Sequence, residues 1–160
     1  MLNNTRIKSF PKIIFTDFDG CLTDDRVWLN EEGEEFVAAN RKDGLAIKKI
    51  MNHGIEVVIT STETNKVVSA RANKLGVEVL QGLTCKSSSI NQYLEQRNLE
   101  WADVWYVGND INDLIPITRA KLSLCPSDAV LTIRDSVDVI LSTRGGYGIF
   151  AEILNEIICL

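Results

Sequence analysis

Apolar and polar positions along the chain fall into two alternating rhythms. Short unbroken apolar runs at 13–16, 57–60, 77–80, 104–107, 122–124 and 139–141 read as strands buried on both faces. Between them, 44–52, 65–75, 86–96, 113–120 and 149–158 place apolar residues at helical intervals. This alternation predicts an α/β fold, a Rossmann-like parallel sheet with helices on both faces and right-handed crossovers, with ligand bound beyond the carboxyl ends of the strands. Gly54 and Gly76 follow their helices as caps, with His53 and Lys74 in the last turns, where a cation suits the helix dipole. His53, the only histidine, is read as a surface cap without chemistry.

One segment breaks the rhythm. Val27-Trp28-Leu29-Asn30 and Glu34-Glu35-Phe36-Val37 flank Glu31-Glu32-Gly33, which reads as a projecting β-hairpin with its glycine in the turn. Its Trp28 and Phe36 either form a surface for a partner or pack onto the first helix of the same chain.

With 160 residues, 45% of them hydrophobic, the expectation is a single domain spanning 1–160. A net charge of -5 and the absence of any Lys/Arg block argue against nucleic acid. No apolar run approaches the roughly 18 residues that cross a bilayer, and the first residues lack a signal-peptide core, so a cytoplasmic protein is expected. Cys21, Cys85, Cys125 and Cys159 are widely spaced, which fits free thiols better than a zinc site or a disulfide framework.

Chemistry gathers at strand ends. The run Ile13-Ile14-Phe15 leads into Asp17 and Asp19, whose side chains leave the same face of extended backbone before Gly20 permits a turn. Two carboxylates so placed repel unless a cation joins them, and a hard ion such as Mg2+ suits all-oxygen ligands. Val57-Val58-Ile59 ends in Thr60-Ser61-Thr62-Glu63 before a helix, where hydroxyls and free backbone N–H groups suit phosphate oxygens. Lys86 opens a helix, a position where the dipole disfavours a cation. Val104-Trp105-Tyr106-Val107-Gly108 leads into Asn109, Asp110 and Asp113, a second acidic cluster after a buried strand. Rival chemistries lack their residues: no arginine lies six positions after Cys21, Cys85 or Cys125, and no Gly-Lys pair exists for a P-loop.

Asp17-Phe18-Asp19-Gly20-Cys21-Leu22-Thr23, followed in order by Ser61, Lys86 and the Gly108–Asp113 cluster, resembles the four motifs of the haloacid dehalogenase superfamily of phosphotransferases. The resemblance implies that Asp17 is the nucleophile, that Asp19 is the general acid and base, and that Ser61 and Lys86 hold the phosphoryl group. It also implies that Asp17, Asp19 and Asn109 hold Mg2+ and that Asp113 orients Lys86 or metal-bound water. Most relatives carry aspartate at position 109, so either the Asn109 amide or the Asp110 carboxylate completes the shell.

Residues 17–24, Asn40-Arg41-Lys42-Asp43-Gly44-Leu45, 61–74, 108–114 and Arg144-Gly145-Gly146-x-Gly148 extend the resemblance to small capless phosphatases of 3-deoxy-2-ulosonate phosphates and to the related domains fused to acylneuraminate cytidylyltransferases. That resemblance implies substrate contacts from Thr62, Glu63, Lys74 and Arg144. Glu63 stands where octulosonate phosphatases carry arginine; it accepts hydrogen bonds from hydroxyl or N–H groups and repels carboxylate. The expected substrate is therefore a sialic-acid-type 9-phosphate, with 3-deoxy-D-manno-octulosonate 8-phosphate as the alternative. A weakly catalytic oligomerisation module associated with a cytidylyltransferase is the competing class. No insertion is long enough for a lid, so closure is expected from neighbouring chains in a homotetramer.

Overall fold

The computed structural model describes residues 10–158, and its main sheet is built outward from β1 (Ile13–Asp17). All five β1 residues are buried. Successive side chains point to opposite sides, so Ile14 enters one apolar core while Ile13 and Phe15 enter another. Parallel neighbours repeat the pattern. In β4 (Glu56–Thr60), Val57 and Ile59 join the first core and Val58 the second; in β6 (Val104–Val107), Trp105 and Val107 join the first and Val104 and Tyr106 the second. Continuous apolar runs are thus what a sheet covered on both faces requires.

Between β1 and β4 come β2 (Trp28–Leu29), β3 (Glu35–Phe36) and α1 (Arg41–Asn52). After β4 follow α2 (Lys66–Leu75), β5 (Glu78–Leu80) and α3 (Lys86–Gln96). Beyond β6 come α4 (Leu114–Arg119), β7 (Leu122–Cys125), α5 (Leu131–Arg134), β8 (Val139–Ile140) and α6 (Ile149–Glu152), which continues as a π-helical turn over Ile153–Ile158. The six-stranded sheet runs β5-β4-β1-β6-β7-β8, parallel throughout. The chain moves outward from β1 through β4 to β5, then resumes on the other side of β1 at β6. The crevice between the ends of β1 and β6 is therefore the topological switch point, where an open α/β sheet binds ligand.

Helix punctuation follows the expected chemistry. Asn40 caps α1, its side chain accepting from Lys42 N at 2.9 Å. Gly76 closes α2 at φ +71°, and His53 is the C-cap of α1 with Nδ1 on the Lys49 carbonyl. The hairpin forms where predicted, with Trp28 opposite Phe36. Trp28, Leu29 and Phe36 are 65%, 68% and 55% exposed, so their own chain leaves them largely uncovered. Cys21, Cys85 and Cys125 are free thiols; Cys159 lies outside the described residues. Among the described residues no helix is long and apolar enough to cross a membrane.

Candidate active site

Asp17 ends β1 and meets Lys86, the first residue of α3, whose ammonium is fully buried. Lys86 Nζ lies 2.8 Å from Asp17 Oδ1 and 2.7 Å from Asp113 Oδ1. A cation at the first helical position is unfavourable locally, and here it is balanced by two carboxylates from other elements. Asp113 is wholly enclosed. Its Oδ1 also accepts from Tyr106 OH at 2.6 Å, and its Oδ2 accepts from Asn109 N at 2.9 Å and Asp110 N at 3.3 Å. A Cβ at Gly108 would sit 2.5 Å from Asp113 Cβ, which explains the glycine at the end of β6.

Beyond this buried chain opens a cavity of about 190 Å3 lined by Asp17, Asp19, Asp25, Ser61, Thr62, Glu63, Asn109, Asp110 and Asn112. The structure thus gathers residues separated by almost a hundred positions. It also separates the roles of the two hydroxyls that end β4. Thr60 Oγ1 turns inward, donating to the Thr16 carbonyl and sharing a hydrogen bond with Tyr106 OH, whereas Ser61 borders the cavity.

The cavity is strongly negative. Burial, and then the charge of Asp113, push the Asp17 carboxyl upward against the pull of Lys86. Burial, followed by Glu63, Asp25 and Glu35, lifts Asp19 to about 6. Such a group is an acid below about pH 6 and a base above it, close enough to neutrality for proton transfer in both directions.

Whether a hard cation fits turns on the Asn109 amide. One end of that amide lies 3.2 Å from Asp17 Oδ2 and 2.9 Å from the Asp19 carbonyl oxygen. With nitrogen at that end it donates to both; with oxygen there, three oxygens converge with no donor among them. The second arrangement suits a cation that takes oxygen ligands and keeps several waters, as Mg2+ does. Among the described residues no three His, Cys, Asp or Glu side chains converge, so the donor set is one carboxylate, one carbonyl and one amide. Asp19 meets this point through its main-chain carbonyl. Asp110 also borders the cavity, but its Oδ1 accepts from Ile111 N at 2.6 Å as the cap of the following turn. Gly20 is required here twice, by its φ of +71° and because a Cβ would overlap the Asn109 amide.

Two expected substrate contacts fall elsewhere. Lys74 does not border the carboxylate cavity, because α2 runs away from the sheet end and residue 74 lies eight positions, about 12 Å, along it. It lines a separate groove of about 440 Å3 with Phe18, Phe36, Arg41 and Arg71. Arg144 lines an adjoining cavity of about 660 Å3, meeting the first at Asp25 and Asn109, and its Nε is 3.1 Å from Asp128. Sequence reasoning missed Tyr106, Asp25 and Asn112. Tyr106 carried a signal, a hydroxyl in an otherwise apolar strand that has to find a buried partner.

No family model matches the chain. It is 30% identical over 148 residues to 3-deoxy-D-manno-octulosonate 8-phosphate phosphatase KdsC of Haemophilus influenzae, covering 92% of this chain and 82% of that protein. It is 29% identical over 153 residues to N-acylneuraminate cytidylyltransferase of Oncorhynchus mykiss, covering 93% of this chain; the chain spans only about a third (35%) of that relative. Its fold superposes with a TM-score of 0.89 and 26% identity on 3-deoxy-D-manno-octulosonate 8-phosphate phosphatase of Moraxella catarrhalis, solved in complex with magnesium ion, phosphate ion and KDO. That match covers 95% of this chain and 87% of the other.

Proposed function

The chain belongs to the KdsC-like phosphatases of the haloacid dehalogenase superfamily and is a phosphoric monoester hydrolase; from that premise we propose that it hydrolyses ulosonate phosphates, with Mg2+, through an aspartyl phosphate on Asp17. The observation that carries this reading is the buried Asp17–Lys86–Asp113 chain beside an all-oxygen cradle at the switch point. Asp17, the Asp19 carbonyl and Asn109 would hold Mg2+, which neutralises charge on Asp17 and the phosphoryl oxygens when bound.

The chain's own residues do the rest. Asp17 attacks phosphorus through Oδ1, the oxygen on the Lys86 side, as the bond to the leaving oxygen breaks. Asp19 gives that oxygen its proton, then takes one from the water that attacks phosphorus, breaking the Asp17–phosphorus bond and freeing phosphate. Lys86, held by Asp113, keeps its charge beside the transferred group, and Ser61 offers its hydroxyl to a phosphoryl oxygen.

The leaving group is read as the sialic-acid type, a nine-carbon ulosonate 9-phosphate. Glu63 stands on the cavity wall among Asp19, Asp25 and Asp110, a surface that accepts hydrogen bonds from the hydroxyl and N–H groups of a sugar. The eight-carbon 3-deoxy-D-manno-octulosonate 8-phosphate is the second reading, favoured by the Haemophilus and Moraxella relatives. The intact Lys86 chain weighs against a module that only assembles. Trp28, Leu29 and Phe36 supply the surface for a homotetramer whose neighbouring chains close the cavity, and a cytoplasmic location fits the free thiols. The test is initial rates on a panel of sugar phosphates with Mg2+. The nine-carbon 9-phosphate is expected to give the highest kcat/KM, and Glu63→Arg to shift preference toward the eight-carbon substrate. Equal loss of both substrates in that variant would mean that Glu63 holds structure and does not read the sugar.

A further inference from the structure

Residues 142–150, running from just after β8 into the first residues of α6, cross over the loop that follows Asp19. We propose that this segment is a brace fixing residues 20–24, and with them Asp19, and that Asp43 is the positioning residue that pins the brace to α1.

The contact is backbone on backbone. Gly146 N donates to the Cys21 carbonyl at 2.9 Å. A Cβ at Gly145 would lie 1.9 Å from Gly20 O and 2.7 Å from its carbonyl carbon, and one at Gly146 would lie 2.5 Å from Asp24 N. Gly146 also needs its glycine for a φ of +74°. Gly145 has no positive φ, so its missing side chain serves the contact alone.

Both ends of the segment are held by carboxylates. At one end Asp128 accepts from Gly145 N at 2.9 Å, while Glu152 accepts from Ser142 N and Thr143 N at 2.7 and 2.8 Å. The Asp128 turn is itself tied to the second acidic cluster, since Val130 N donates to the Asn109 carbonyl at 3.0 Å. The brace thus joins the loop bearing Asp19 to the loop bearing Asn109. At the other end Asn40 Nδ2 donates to Gly146 O at 3.3 Å, and Asp43 Oδ1 accepts from Phe150 N at 2.8 Å. Asp43 has no solvent exposure, and its Oδ2 has no hydrogen-bond partner among the described residues. A carboxylate buried with one oxygen unsatisfied is costly; its bond from Phe150 N, and after it the charge of Arg71, offset that cost.

The structural claim stands without any activity; its consequence for turnover rests on the phosphoryl-transfer reading. Amide hydrogen exchange of a peptide spanning 18–25 should be compared in the wild type, Asp43→Ala, Asp43→Asn and Gly145→Ala, alongside kcat and KM for p-nitrophenyl phosphate. Asp43→Ala is expected to speed exchange at 18–25 about tenfold and to lower kcat by a similar factor with KM little changed. Asp43→Asn retains an acceptor for Phe150 N and is expected to behave as wild type. Should Asp43→Ala not fold, Gly145→Ala, whose strain is local, carries the test and is expected to loosen the same peptide. Unchanged exchange at 18–25 in the folded variants would overturn the brace, whatever the activity. Asp43→Asn as loose as Asp43→Ala would overturn the anchoring role of Asp43. Loosening without phosphatase activity in the wild type would leave the brace standing and remove the catalytic reading.

Discussion

Replacing Lys86 by methionine keeps the volume of the side chain and removes the cation that bridges Asp17 and Asp113 in their buried space. Lys86 makes two short contacts, 2.8 and 2.7 Å, with its ammonium wholly enclosed. Removing one partner of a buried ionic group typically costs about 3–5 kcal/mol. The lower end applies, because Asp113 keeps Tyr106 OH and two backbone N–H donors, and Asp17 keeps Phe18 N. A loss of about 3 kcal/mol, with a urea slope of about 2–3 kcal/mol/M, lowers the unfolding midpoint by roughly 1–1.5 M. The sign with pH follows from linkage. Beside Lys86 the Asp17 carboxyl is already raised to about 8, and orphaning it raises it further, so the variant's extra deficit opens as pH rises through about 8 and vanishes well below that value. Urea titrations followed by tryptophan fluorescence at pH 7 and pH 9 measure both effects. An unchanged or raised midpoint at pH 7 would refute the view that Lys86 compensates two buried carboxylates.

Asn109→Asp should lower the Mg2+ concentration for half-maximal activity roughly tenfold, about 1.4 kcal/mol, and should destabilise the metal-free protein, since three oxygens then converge with no amide donor. An unchanged Mg2+ requirement would place the ligand elsewhere, with Asp110 the neighbouring carboxylate. Light scattering at micromolar concentration should give several times the 17.9 kDa chain mass, and Trp28→Glu should reduce both that mass and the activity. A fully active monomer would remove closure by neighbouring chains.

The fold was legible because apolar runs and helical spacings are dictated by burial. The strand at 104–107 and the helix at 86–96 have the same bounds in sequence and structure, and the hairpin was marked by Gly33 between two apolar-flanked arms. The carboxylates were legible for a related reason, since Asp17, Asp19 and Asp113 interrupt or follow runs that otherwise belong to the core. What escaped was set by three-dimensional packing. Tyr106 looked like one more apolar strand residue until its hydroxyl met Asp113. Lys74 was expected at the substrate from the resemblance alone, but the axis of α2 carries it to another groove. Asp43 stood out only as part of the Asn40–Leu45 stretch; its partner, Phe150, is 107 positions away and no local pattern announces it. The short α5 was missed because four residues are too few to display a period.

The covalent role of Asp17 is the claim on which the others depend, and one comparison tests it directly: phosphate release from p-nitrophenyl phosphate by wild type and Asp17→Asn, each with Mg2+ and with chelator. The substitution preserves shape and removes the attacking charge at the end of β1. The account predicts Mg2+-dependent release by the wild type and a rate lower by several orders of magnitude in a variant that still folds. A folded Asp17→Asn protein that releases phosphate at close to the wild-type rate would contradict it.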